Sequence, residues 1–245
     1  MVARALDIVF PSRCAGCGRG AWPFCERCRS SLVALGPPWC FRCGRPGPAN
    51  VERCDECPPE PVASARAPFL YEGPARAAIL RLKFAGWRSV AQALADAMVV
   101  PGLPAPADAV TWVPLARRRL AERGFDQARA LASAVGGRLG VPVARLTRRA
   151  VATDPQARRT GEERRRAMHG AFEPTGRRAP DRVLLVDDVL TTGATAAACA
   201  EALLAAGARE VSLLTAARAF ARAGGRGYTR VGSRPGLWLP GELPR

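Results

Sequence analysis

From residue 62 onward the apolar positions alternate between two spacings. Residues 75–84 and 90–99 repeat apolar side chains at intervals of three and four, the spacing of helices that bury one face. Residues 109–113 form a short β-rich run stopped by Pro114, which has no N–H to continue a ladder. Residues 117–139 read as a loop and a helix, and 141–146 as a strand. Residues 182–186 read as a strand buried on both faces, 194–206 as an Ala-rich helix closed by Gly207, and 211–215 as a further strand. Strands that alternate with helices pair in parallel and carry helices on both sides of the sheet, so the pattern predicts an α/β fold.

The periodic part has clear limits. Pro58, Pro59 and Pro61 close the segment before it, and Gly, Pro and Arg dominate from about residue 224. The expected organisation is a small domain over 1–61, an α/β body over 62–222 with a core of its own, and an irregular tail over 223–245.

The first segment carries most of the cysteine. The chain has nine, of which eight form four CxxC units: Cys14/Cys17, Cys25/Cys28, Cys40/Cys43 and Cys54/Cys57. A CxxC turn brings two sulfurs to one metal, and two such knuckles complete a tetrahedral thiolate site, so four knuckles predict two zinc ions. Gly18 and Gly44 follow the first and third knuckles, where the chain must turn tightly. Disulfide and iron–sulfur frameworks are the competing readings. Loop-closure entropy favours joining consecutive knuckles, with a cross-brace as the alternative. So short a segment, with little apolar content, needs the metal to fold. Cys199 stands apart on the Ala-rich helix and reads as a small buried residue.

Composition narrows the partners. The 245 residues are 48% hydrophobic and 24% charged, which excludes a disordered chain. The formal net charge is +16, and the two zinc–thiolate clusters reduce it to about +12. That excess points to polyanions: nucleic acid, nucleotides or phosphorylated metabolites. Lys83 is the only lysine. Aromatic residues are only 6%, sparse for a base-stacking platform. Trp22, Phe24, Trp39 and Phe41, beside the knuckles, read mainly as packing around the metal domain. Arg4 and Asp7 interrupt what would be the apolar part of a leader, and no apolar stretch is long enough to span a membrane. A cytoplasmic location, with reduced thiols, is expected.

Residues 183–195 carry the chemistry. They run through four apolar residues, Asp187 and Asp188, two more apolar residues, and then Thr191, Thr192, Gly193, Ala194 and Thr195. The acids fall at the carboxyl end of a central strand, where open α/β sheets bind ligands. The turn offers N–H groups and hydroxyls at a helix N-terminus, a natural anion site. A phosphate on the turn and vicinal hydroxyls on the two acids describe a 5-phosphorylated ribose. No Walker A loop is present.

This stretch resembles the phosphoribosyl diphosphate (PRPP) motif of the type I phosphoribosyltransferases. A wider resemblance covers nearly the whole chain. The double CxxC segment is followed by Lys83-Phe84-Ala85-Gly86, Val113-Pro114-Leu115, Arg117, Arg118, Arg123-Gly124-Phe125-Asp126-Gln127, Thr153, Gln156, Arg164 and Gly170-Ala171-Phe172. Together they resemble the ComF family, phosphoribosyltransferase-like proteins linked to natural competence. The departures are Asp126 and Ala167, where that family usually has Asn. The resemblance implies a type I phosphoribosyltransferase-like parallel sheet flanked by helices, with a small N-terminal zinc-ribbon domain. It implies PRPP or ribose 5-phosphate as ligand, with Asp187 and Asp188 in the catalytic position and residues 191–195 on the 5-phosphate. Arg117 and Arg118, with Arg158 and Arg159 from a closing loop, would meet pyrophosphate together with Mg²⁺. It further implies single-stranded DNA as a partner, with competence helicase or recombination proteins beside it. Two functions follow: a DNA-uptake protein that binds PRPP, or a transferase moving phosphoribosyl onto a nitrogen nucleophile. His169, the only histidine, reads as structural.

Overall fold

The computed structural model describes residues 13–99, 104–150 and 170–220. Of the predicted loop around 150–166, everything past Ala150, including Arg158 and Arg159, lies outside those residues, as do Ala167, His169 and the tail.

The metal-binding segment contains one short helix, α1 (Glu26–Ser30). After it come β1 (Ser64–Arg66), β2 (Phe69–Leu70), α2 (Gly73–Phe84), α3 (Val90–Val99), β3 (Ala109–Trp112), α4 (Arg117–Arg123), α5 (Gln127–Leu139), β4 (Thr147–Arg149), β5 (Phe172–Pro174), β6 (Arg182–Leu190), α6 (Ala194–Ala205) and β7 (Glu210–Arg218). The main sheet has the order β1-β7-β6-β3, with β2 also paired to β7. Every one of these pairings is parallel. It is flanked by helices and preceded by the metal-binding domain.

Three elements differ from the periodicity. Residues 141–146 do not form a strand: they touch β3 through the single parallel bridge Val110–Val143. Pro142 has no N–H to give, so the Val110 N–H donates to its carbonyl and the Ala144 N–H returns to Val110. The regular pairing begins only at β4, which forms a separate antiparallel pair with β5. Residues 117–139 are two helices rather than one, divided by Gly124 at φ 72°. Finally, β6 does not stop at Val186. Val189 and Leu190 pair with Ala217 and Arg218, so the strand carries Asp187 and Asp188 within it.

The apolar pattern of β6 explains the two-sided core. Leu184 and Val186 face a layer built from α2, α3 and α5, whereas Val183 and Leu185 face the layer of α6. The metal-binding segment joins both layers. Cys14, Ala15, Phe24 and Cys28 are buried in the first, and Cys40 and Cys43 in the second. The two halves of that segment therefore clamp opposite faces of one sheet. Among the described residues no helix is long and apolar enough to cross a membrane.

Candidate functional site

The sulfurs of Cys14, Cys17, Cys25 and Cys28 lie within 4.8 Å of one another, and so do those of Cys40, Cys43, Cys54 and Cys57. Consecutive knuckles pair. A tetrahedral zinc with bonds of ~2.3 Å requires sulfurs about 3.8 Å apart. The observed separations include 3.8 Å for Cys17–Cys25, 3.6 Å for Cys40–Cys57 and 3.5 Å for Cys43–Cys54. All nine cysteines are free thiols. Each first knuckle is closed by a glycine with positive φ, Gly18 at 77° and Gly44 at 66°. Their N–H groups return to the Cys14 and Cys40 carbonyls at 2.8 Å. Burial opposes ionisation of Cys14, yet the N–H groups of Cys17 and Cys25 on its sulfur bring it down to about 6. Cys54 goes the other way, pushed up to about 12 by burial and by the Cys43 thiol. The fit is to two structural zinc ions.

An arginine holds each half of the metal domain to the sheet layers. Arg81 of α2 donates to the Ala15 and Gly16 carbonyls. Arg218, at the end of β7, donates to the carbonyls of Cys43 (2.7 Å) and Glu56 (2.6 Å). Trp22 and Phe24 pack into the first core layer, and Arg66 lies 5.1 Å from the Trp39 ring.

The acid pair has unequal surroundings. Asp188 is 5% exposed. Its Oδ1 is 2.6 Å from Lys83 Nζ and its Oδ2 accepts from Gln127 Nε2 at 3.0 Å. Asp187 is half-buried and accepts the Asp188 N–H at 2.8 Å. Burial of its carboxyl, with the Asp188 charge beside it, pushes Asp187 up to about 8. Lys83 and Gln127 are site residues that pattern reasoning did not assign a role. The available signal for Lys83 was its being the single lysine in an arginine-rich chain.

Past Leu190 the chain turns into α6 through exposed Thr191 and Thr192, buried Gly193, and half-buried Ala194 and Thr195. Gly193 is the N-cap, at φ 79°, and has no side chain to cap with; the Thr192 hydroxyl before it accepts the Ala194 N–H at 3.4 Å. The first N–H groups of a helix have no partner inside it, so those that follow Ala194 are available to an anion. Cys199 in α6 is fully buried with Thr147 Oγ1 3.3 Å from its sulfur, and burial pushes its thiol up to about 12. It is not part of either cluster.

The loop after β3 runs beside this site, because Trp112 pairs with Val186. Asp126 ties that loop to α5: its Oδ1 accepts the Ala128 and Arg129 N–H groups and its Oδ2 accepts the Leu115 N–H at 3.3 Å. An asparagine there would keep one acceptor oxygen, so the carboxylate gives this chain a second tether. Arg117 and Arg118 begin α4 and are exposed; Arg118 pairs with Glu122 at 2.9 Å. The structure does not bring either onto the acid pair. The same loop, through Pro114 and Leu115, lines an open groove of about 810 Å³ that is also walled by Arg88, Arg129, Arg145, Arg177, Phe125 and Val143.

Comparison with known proteins matches residues 5–58 to a double zinc ribbon domain. DNA utilization protein YhgH of Salmonella typhi is 31% identical over 206 residues, covering 78% of this chain and 88% of that protein. The chain belongs to the ComF family. Competence protein F of Haemophilus influenzae is 28% identical over 209 residues, covering 80% of this chain and 90% of its own. Among solved structures, the glutamine PRPP amidotransferase of B. subtilis, complexed with ADP and GMP, aligns with 51% of this chain and 26% of its own at 20% identity and a TM-score of 0.37. In this member of the family the zinc segment packs on both faces of the sheet.

Proposed function

We propose that this ComF protein binds PRPP or another ribose 5-phosphate moiety at the carboxyl end of β6 and serves the uptake and use of DNA. The observation that carries the reading is one strand–loop–helix unit in which two acids precede a helix N-terminus headed by Gly193. The 5-phosphate would sit on Thr191, Thr192, Gly193, Ala194 and Thr195, and the ribose hydroxyls would reach the acids. Mg²⁺ would accompany the diphosphate of PRPP and neutralise part of its charge, with Arg117 and Arg118 supplying further cations. Relatives named for DNA utilization and for competence support the cellular role.

Binding is favoured over turnover by the Lys83–Asp188 pair. Stabilising the positive charge that develops on the ribose as pyrophosphate leaves needs carboxylates free of cations, and Asp188 already has an ammonium at 2.6 Å. Calorimetry with ribose 5-phosphate and with Mg²⁺-PRPP tests the site. Above pH 8, where Asp187 is ionised, Asp187→Asn should weaken binding roughly tenfold, the worth of one charge-assisted hydrogen bond, and equal affinity in the variant there would sink the assignment. Pyrophosphate release from PRPP in the presence of a nucleobase would instead establish a phosphoribosyltransferase.

The arginine groove favours single-stranded DNA as the second ligand. Among the described residues Arg88 and Arg129 have no carboxylate partner, lying instead over the rings of Phe125 (5.3 Å) and Trp112 (5.7 Å). The groove's one acid, Asp126, has both oxygens committed to backbone N–H groups. Replacing Arg88 and Arg129 by Gln should lower affinity for all sequences alike and reduce the log–log salt slope by about 0.7 per lost phosphate contact. An unchanged slope would exclude the groove.

A further inference from the structure

The loop that heads α6 is not free on its outer side. A Cβ on Gly193 would stand 2.6 Å from Pro58 Cβ and 3.2 Å from Pro59 Cδ, so the loop lies against the residues immediately past Cys57. Gly193 also has φ +79°, a conformation that other residues rarely adopt. A second strap enters from the strand before the loop. Leu190, the last residue of β6, pairs with Arg218 and accepts the Ala219 N–H at 2.8 Å. Arg218 is 1% exposed and spends its guanidinium on the second ribbon, one bond to the Cys43 carbonyl and one to the Glu56 carbonyl. Those carbonyls belong to the two knuckles of one zinc site. Both ends of the loop are thus fastened to the same ribbon, Leu190 through Arg218 and Gly193 through Pro58. The first ribbon sits on the α2 side, held by Arg81.

We propose that the second zinc ribbon is a wall of the phosphate site, with Pro58 and Arg218 as positioning residues, so that zinc in this ribbon and a ribose 5-phosphate in the loop stabilise each other. The ligand half rests on the reading of the loop given above. The physical reason is that a zinc ribbon of this size holds its backbone only around the metal. Without zinc the Cys43 and Glu56 carbonyls lose their fixed separation, Arg218 loses both acceptors, and Pro58 no longer limits the Gly193 turn. The loop then samples conformations whose N–H groups do not converge on one phosphate. A ligand that binds only the ordered loop must in return favour the metal-loaded ribbon, because coupling between two binding events is reciprocal.

The test uses the full chain loaded with two zinc ions. Calorimetry measures ribose 5-phosphate affinity in the wild type, Arg218→Met and Arg218→Lys, with zinc content followed by native mass spectrometry. Arg218→Met should weaken binding tenfold or more while two zinc ions remain, and Arg218→Lys should recover only part, since one ammonium cannot span two carbonyls as a planar fork does. Zinc transfer to a chromogenic chelator supplies an independent readout. Ribose 5-phosphate should slow the loss of one zinc ion of the two, and in Cys17→Ser protein, whose first site is disabled, the remaining zinc should show that protection. Gly193→Val, which drives a side chain onto Pro58, should speed loss of the same zinc with no ligand present. Unchanged affinity in Arg218→Met, equal protection of both zinc ions, or unchanged zinc loss in Gly193→Val would each overturn the proposal. If the wild type fails to bind ribose 5-phosphate, the reading of the loop falls and takes the ligand half with it, while the Gly193→Val result still judges the wall.

Discussion

Removing the Lys83 ammonium should expose how much the acid site depends on its internal counter-charge. Lys83 Nζ and Asp188 Oδ1 are 2.6 Å apart, with side chains 18% and 8% exposed. In Lys83→Met the carboxylate stays desolvated, with only the Gln127 amide to answer it. Breaking a buried pair by deleting one partner costs about 3–5 kcal/mol, because the remaining charge is neither hydrated nor paired. Asp188→Asn has the mirror problem, leaving the ammonium in place. The double variant Lys83→Met/Asp188→Asn removes both charges, so its destabilisation should be smaller than the sum of the singles by at least ~2 kcal/mol. Urea unfolding followed by tryptophan fluorescence, in saturating zinc and reductant, gives all four free energies. With a slope of about 2–3 kcal/mol/M, the single Lys83→Met change should lower the midpoint by roughly 1–2 M. A loss below about 1 kcal/mol, or strict additivity in the double variant, would refute the pairing as an energetic fact.

Asp187 sets a pH dependence of definite sign. Its carboxyl is raised from 3.8 to about 8 by burial and by Asp188, so the folded chain keeps a proton that the unfolded chain releases; this contribution to stability is full at low pH and is lost as pH rises towards 8. Urea midpoints between pH 6 and 8.5 should fall less steeply in Asp187→Asn than in the wild type, and parallel slopes would contradict the shift. Gly136 lies where any Cβ would meet the Val143 side chain and come within 3.0 Å of the Val141 carbonyl. Gly136→Ala should therefore destabilise by about 1–3 kcal/mol despite the better helix propensity of alanine, and a stabilised variant in thermal unfolding would show that α5 does not approach this segment. Native mass spectrometry should find two zinc ions per chain, and thiol titration in denaturant with chelator should return all nine cysteines; disulfides surviving that treatment would rule out the metal reading.

Much of this architecture is local and was therefore legible. CxxC spacing, the glycine after a knuckle, the helical repeat of 90–99 and the two-sided apolar run of 182–186 each depend on residues a few positions apart, where chain geometry alone decides what can meet. The acids and the hydroxyl-rich turn at 187–195 are equally local, so their adjacency ahead of a helix could be read directly, although the strand runs on through the acids. Periodicity erred where a distant partner decided the outcome. Strand β6 runs past its acids because β7 offers Ala217 and Arg218 to pair with, and residues 141–146 stay irregular because Pro142 meets an edge strand with no donor to give. Three-residue β1 is too short to show a period and exists only because β7 lies beside it.

What the tertiary structure alone decided is which distant residues share a charge or a carbonyl. Nothing in sequence spacing brings Lys83 to Asp188, Gln127 to the same carboxylate, or Arg218 across 175 positions to the Cys43 carbonyl. Those contacts form because the sheet stacks α2 and α5 over the acid end of β6 and draws the two zinc ribbons onto its opposite faces. A pattern of neighbours specifies what each element is, and the burial of apolar faces against one another then selects which polar groups must find partners there.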